Sequence, residues 1–265
     1  MLSELVGAVR ALAFYLGYAL VTIVWATLAM IFGWLMPFRA RFQFVIGAWS
    51  RIILGWLRVC CGIRVSVEGR ENVPAQPCVV FVKHESTWET IFVQTLFAPQ
   101  ATLIKRELLH IPFFGWAFRL LKPIAIDRND ARRALRALIE EGRARLEQRI
   151  WVVLFPEGTR VPVGETRAFQ VGGAALAART ETPVIVVAHD AGNRWPAHRL
   201  RKQAGVVHVK ISPPIVTTGM RAKEINEGAR VWMENAMREL GREPQTSRLT
   251  TDSALASMNS RLGST

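Results

Sequence analysis

A histidine and a glutamate stand five residues apart in Lys83-His84-Glu85-Ser86-Thr87-Trp88-Glu89, directly after the apolar run 78–82. Histidine is the side chain best suited to accept a proton near neutral pH, and a nearby carboxylate fixes its tautomer and stabilises the imidazolium. On a continuous helix five residues amount to about 140°, so the two side chains would not share a face. They meet only if His84 sits in a turn and Glu89 in the first turn of a following helix. Ser86-Thr87-Trp88-Glu89 has the form of a capping box with Ser86 as N-cap, which permits that arrangement. The same box offers a plainer alternative, in which Glu89 satisfies a helix-end amide and His84 is a polar loop residue.

A second cluster closes the apolar run 150–155: Phe155-Pro156-Glu157-Gly158-Thr159-Arg160. Proline cannot supply a ladder donor, so a strand stops there, and the chain turns at Gly158. An acid and an arginine are thereby held at the strand's carboxyl end, where α/β sheets bind ligands. The planar donor fork of arginine suits phosphate or carboxylate, although an incidental surface ion pair is the bland reading. Lys105-Arg106-Glu107-Leu108 and Asp127-Arg128 follow two further apolar runs. Cations beyond several strand ends suggest an anion site, while each one alone is equally a solvated surface charge. No G-x-S-x-G elbow, Walker loop, G-x-G-x-x-G fingerprint or H-E-x-x-H zinc motif occurs.

The elements that must hold these residues follow from periodicity. Runs 63–67, 78–82, 101–104, 123–126, 150–155, 183–188 and 206–211 read as strands. Segment 129–149, with Ala131, Ala134, Leu135, Leu138 and Ile139 on one face, reads as an amphipathic helix, and 224–240 as another. The alternation predicts an α/β fold, a single sheet with helices packed on it. The aromatic stretch 111–118 suits an acyl chain, a membrane contact or ordinary core.

Segment 11–36 carries no formal charge and exceeds the roughly 20 residues needed to span a bilayer. Pro37 ends it. Segment 42–57 is apolar but interrupted by Gln43, Ser50 and Arg51, and reads as an interfacial helix or the second arm of a hairpin in one leaflet. Two core helices of a soluble protein are the alternative. The expected organisation is an N-terminal membrane-embedded helix pair over 1–58, an α/β domain over 59–242 and a disordered polar tail over 243–265. Arg39, Arg41, Arg51 and Arg58 follow the first segment and Arg10 alone precedes it, which points the bulk of the protein to the cytoplasmic face of a membrane.

Composition narrows the partners. The 265 residues carry a formal net charge of +13 and are 50 % hydrophobic. Nucleic acid and an anionic membrane surface both attract such a charge, and the apolar content favours the membrane. Cys60, Cys61 and Cys78 make neither a disulfide framework nor a metal spacing.

Taken in order, His84-x4-Glu89, then Lys105-Arg106-Glu107-Leu108 with Pro112, Gly115 and Arg128, then residues 155–160, then Val184-Ile185-Val186-Val187 after Pro183, resemble the four motifs of the glycerolipid acyltransferases. The bacterial 1-acylglycerol-3-phosphate acyltransferases are the nearest likeness, over roughly residues 60–215. The resemblance implies transfer of an acyl chain from acyl-CoA or acyl-carrier protein to the 2-hydroxyl of 1-acyl-sn-glycerol 3-phosphate (lysophosphatidate), making phosphatidate, with no cofactor and no metal. It implies His84 as general base and Glu89 as its orienting carboxylate. Lys105, Arg128 and Arg160 would hold the phosphate, and Glu157, Gly158 and Thr159 would form the turn around the acceptor. The chain departs from the family pattern in three places: Glu89 stands where aspartate is usual, Gln170-Val171 where a basic residue is frequent, and Lys122-Pro123 where glycine is common. Another lysolipid or glycerol 3-phosphate as acceptor is the alternative within this class. A non-catalytic basic membrane protein binding anionic lipid or nucleic acid is the alternative outside it.

Overall fold

The computed structural model describes residues 2–127, 130–197 and 199–242. Seven strands form one sheet: β1 (Ile63–Glu68), β2 (Val79–Val82), β3 (Gln100–Lys105), β4 (Ile124–Ile126), β5 (Trp151–Leu154), β6 (Val184–His189) and β7 (Gly205–Ile211). Their order is β1-β7-β6-β2-β5-β3-β4. Neighbours run parallel except β6 and β7. Every strand expected from the sequence is present, with ends shifted by a residue or two. The central strands β2, β5 and β6 are buried along their whole length, as their unbroken apolar runs require.

Side chains alternate across the sheet and feed two cores. Val80 and Val82 of β2 face one cluster, and Val79 and Phe81 face the other. The second face is covered by α6 (Ala131–Glu147), α7 (Gly172–Thr180) and α8 (Ala222–Arg242). Asp130 caps α6 by accepting the Arg133 N–H at 2.9 Å, so that helix starts two residues later than its pattern suggested. The short helices α5 (Phe114–Arg119) and α7 had no clear sequence signal. In the aromatic stretch, Ala117 and Phe118 are buried whereas Ile111 and Trp116 are exposed.

The first face is covered by α4 (Trp88–Leu96), α5 and an N-terminal hairpin. The hairpin's arms are α1 (Leu2–Phe32) and a continuous helix over Phe38–Cys61, made of α2 (Phe38–Phe42), a π-helical turn and α3 (Trp49–Cys61). Both arms are long and apolar enough to cross a membrane. Gly62, at φ +67°, ends α3 and returns its N–H to the Arg58 carbonyl. The arms approach closely at Gly17, where a Cβ would lie 2.2 Å from Trp56 Nε1.

The inner face of α1, including Phe14, Ala26 and Ala29, belongs to the same core cluster as Val80, Val82 and Ile185. Its outer face leaves Leu5, Val9, Leu12, Leu16, Leu20, Ile23 and Ile31 exposed. The helix meets the α/β domain at both ends. Glu4 pairs with Arg201 at 3.1 Å, and Gly33, just past the helix, sits so near Leu120 that a Cβ would lie 3.1 Å from its Cδ1.

Candidate active site

The parallel order β6-β2-β5-β3-β4 brings the carboxyl ends of these strands to one edge of the sheet. Three of the expected site segments leave from that edge: His84 after β2, the 155–160 turn after β5, and Lys105 at the end of β3. Two strand spacings separate the exits of β2 and β3, about 10 Å. Lys105 is exposed and Arg160 half-buried, with Arg160 near enough to Tyr18 of α1 for the two to interact electrostatically. Thr159 is exposed. Arg128 lies outside the described residues.

His84 is held from four sides. Its N–H donates to Glu157 Oε2 at 2.9 Å, and its carbonyl accepts the Val161 N–H at 2.8 Å. Its ring stacks on Phe155 with centroids 4.3 Å apart. Its Nδ1 lies 2.8 Å from Glu89 Oε1. Nε2 has no partner among the described residues.

Glu89 is fully buried in the first turn of α4, where the helix dipole favours an anion. Its Oε1 also accepts the N–H groups of Glu85 at 3.1 Å and Ser86 at 2.9 Å. Burial alone would raise its carboxyl, but the His84 hydrogen bond, nearby His189 and the Ser86 N–H outweigh it and hold the group below the ordinary carboxylate range. An ionised Glu89 makes Nδ1 the donor and leaves Nε2 as the basic nitrogen. The cap itself falls one residue later than the box suggested. Thr87 occupies the N-cap position with no side-chain bond, and Ser86 Oγ accepts the Trp88 N–H at 3.1 Å. One carboxylate oxygen thus orients His84 and ties down the loop N–H groups just ahead of the helix, while Ser86 Oγ takes the helix-end amide.

Glu157 is buried with both oxygens engaged, Oε1 on Lys83 Nζ at 2.5 Å and Oε2 on the His84 N–H. It shapes the site from within, tying the turn after β5 to the loop after β2. Gly158 turns the chain at φ +74°, and its N–H returns to the Phe155 carbonyl at 3.0 Å.

Residues 189–195 were not singled out from the sequence, yet they grip the same loop. Gly192 donates its N–H to Glu85 Oε1 at 2.8 Å, and Ser86 Oγ donates to the Trp195 carbonyl at 2.6 Å. A histidine closing an unbroken apolar strand was the available signal.

A family model described as Acyltransferase matches residues 64–190, which contain His84, Glu89, Lys105 and the 155–160 turn. A Pseudomonas aeruginosa protein named 1-acyl-sn-glycerol-3-phosphate acyltransferase is 44 % identical over 238 residues, 89 % of this chain and 93 % of that one. The chain belongs to the glycerolipid acyltransferase family. A coconut (Cocos nucifera) protein of the same name is 26 % identical over 231 residues, 85 % of this chain and 72 % of that one. The crystal structure of the Thermotoga maritima 1-acyl-sn-glycerophosphate acyltransferase PlsC superposes on 91 % of the chain with a TM-score of 0.77. At 24 % identity that likeness speaks to fold. The acyltransferase thus has a single mixed sheet beneath an apolar hairpin, with an oriented histidine at the sheet edge.

Proposed function

We propose that this acyltransferase moves an acyl chain from a thioester, acyl-CoA or acyl-carrier protein, to the 2-hydroxyl of 1-acyl-sn-glycerol 3-phosphate, forming phosphatidate. The observation that carries the reading is the His84 ring, whose Nδ1 is taken by an ionised Glu89 and whose Nε2 is left open beside cationic strand exits. Nε2 accepts the hydroxyl proton as the oxygen attacks the thioester carbonyl, and the new ester C–O bond forms. The C–S bond then breaks, and the departing thiolate takes the proton back from the imidazolium. The acceptor alcohol is the nucleophile, so the step needs no acyl-enzyme. Arg160 and Lys105, with Arg128 as the third expected cation, hold the phosphate and thereby fix the hydroxyl near His84.

The acceptor is a lipid, and the exposed face of α1 suits one leaflet. A helix in contact with the α/β domain at both ends lies along the membrane surface more readily than across it. The arginines that follow α1 favour the cytoplasmic face for this contact. The deciding experiment assays purified protein in lipid vesicles with acyl-CoA and acyl-carrier-protein donors against lysophosphatidate, lysophosphatidylcholine and glycerol 3-phosphate. Phosphatidate formed from lysophosphatidate, and lost in His84→Ala, is the expected result. Activity confined to another acceptor, or near-normal turnover by a folded His84→Ala, overturns the reading.

A further inference from the structure

His189 ends β6 at 1 % exposure and takes no part in the proton transfer drawn above. Both of its ring nitrogens are engaged. Ala191 donates its backbone N–H to Nδ1 at 3.2 Å, so Nδ1 is the acceptor and the ring proton sits on Nε2. Nε2 donates that proton to the Lys83 carbonyl at 2.8 Å. The turn that supplies the Ala191 N–H is itself anchored by the bond from Gly192 to Glu85. A second proton on Nδ1 would break the Ala191 bond.

The carbonyl it holds belongs to the residue immediately before His84. Nε2 also lies 3.8 Å from Glu89 Oε2, a buried oxygen without a hydrogen-bond partner among the described residues. That separation is too long for a hydrogen bond. An N–H dipole so close to a buried carboxylate nonetheless favours its charged form, because little solvent screens the two. One imidazole thus acts on both supports of the other: the backbone from which His84 projects and the carboxylate that turns its ring.

We propose that His189 is a positioning residue for acyl transfer, acting on His84 through the Lys83 carbonyl and through Glu89. This rests on the reading of His84 as the base. The test compares His189→Met with His189→Gln in the full-length protein in lipid vesicles, using lysophosphatidate and whichever donor the wild type accepts. Met and Gln are close in length and volume, and only Gln has a donor to present to Lys83. His189→Met is expected to lower kcat roughly tenfold, the rate equivalent of one neutral hydrogen bond. The KM for lysophosphatidate should stay within about twofold, since substrate binding is untouched. His189→Gln should recover most of the lost kcat. An unchanged kcat in His189→Met, a loss confined to KM, or equal losses in both variants overturns the proposal. Should methionine not be accommodated, His189→Asn takes its place, being polar but too short to reach the Lys83 carbonyl. A wild type that acylates no lysophosphatidate overturns the parent reading and this one with it. An active wild type indifferent to His189 overturns this one alone.

Discussion

Glu89 Oε1 lies 2.8 Å from His84 Nδ1 while accepting the backbone N–H groups of Glu85 and Ser86. One oxygen therefore closes the loop ahead of a helix and aims an imidazole. Under the proposed mechanism its charge matters more than its shape, because an imidazolium would form beside it during turnover.

Glu89→Gln keeps the acceptor oxygen and removes the charge. Its kcat is expected to fall about 10²-fold or more, as when an orienting carboxylate is neutralised in other base-catalysed transfers. Initial rates of phosphatidate formation check this; a kcat within about twofold of wild type would remove Glu89 from the mechanism.

Glu89 and Glu85 should leave opposite marks on stability against pH. The lowered Glu89 carboxyl contributes stability that is present above the ordinary glutamate value of 4.5 and lost as pH falls through the folded value. Glu85 behaves the other way. Burial pushes its carboxyl up, against the pull of the Gly192 N–H and Lys83, and its buried Oε2 has no hydrogen-bond partner among the described residues. Between 4.5 and the raised value the unfolded chain has released a proton that the folded protein keeps, so stability falls as pH rises through that window. The melting temperature of Glu85→Gln, relative to wild type, should climb as pH rises from 4.5 and then level off. A difference independent of pH would show that Glu85 titrates alike in both states.

Lys83 and Glu157 form a buried pair at 2.5 Å, with side chains 4 % and 3 % exposed. Lys83→Met leaves a buried carboxylate without its cation and should cost roughly 3–5 kcal/mol. The double variant Lys83→Met/Glu157→Gln should regain part of that loss, because the amide oxygen still accepts the His84 N–H. Denaturant unfolding in detergent measures both; a double variant no more stable than the single would contradict the pairing.

Leu16 and Leu20 are each 64 % exposed on the outer face of α1. Changing both to Glu should weaken binding to anionic vesicles roughly tenfold or more, since each would carry a charge into the acyl boundary. Vesicle flotation reads the effect. Undiminished binding would move the membrane contact to another surface.

The strands were legible because burial on both faces writes itself as an unbroken apolar run, as in 150–155 and 183–188. His84 and Glu89 were legible as a pair through the helix start between them. The outer parts of the site were not. Glu157 looked like part of a ligand-side turn because Arg160 follows three residues later, but the turn after β5 sends its carboxylate inward to Lys83. Helices α5 and α7 span 6 and 9 residues, too few for a helical period to stand out. His189 is 105 residues from His84 in the chain, and the pairing of β2 with β6 that joins them leaves no local trace.

Phe14, Ile53 and Leu57 from the hairpin share one apolar cluster with Val80, Val82 and Ile185 from the sheet. An enzyme on a stalk can be clipped free by a protease and keep working. Trimming this hairpin would instead strip a wall from the core that backs the His84 loop. Hairpin and catalyst are one inheritance: the wall is synthesised before the sheet that completes it.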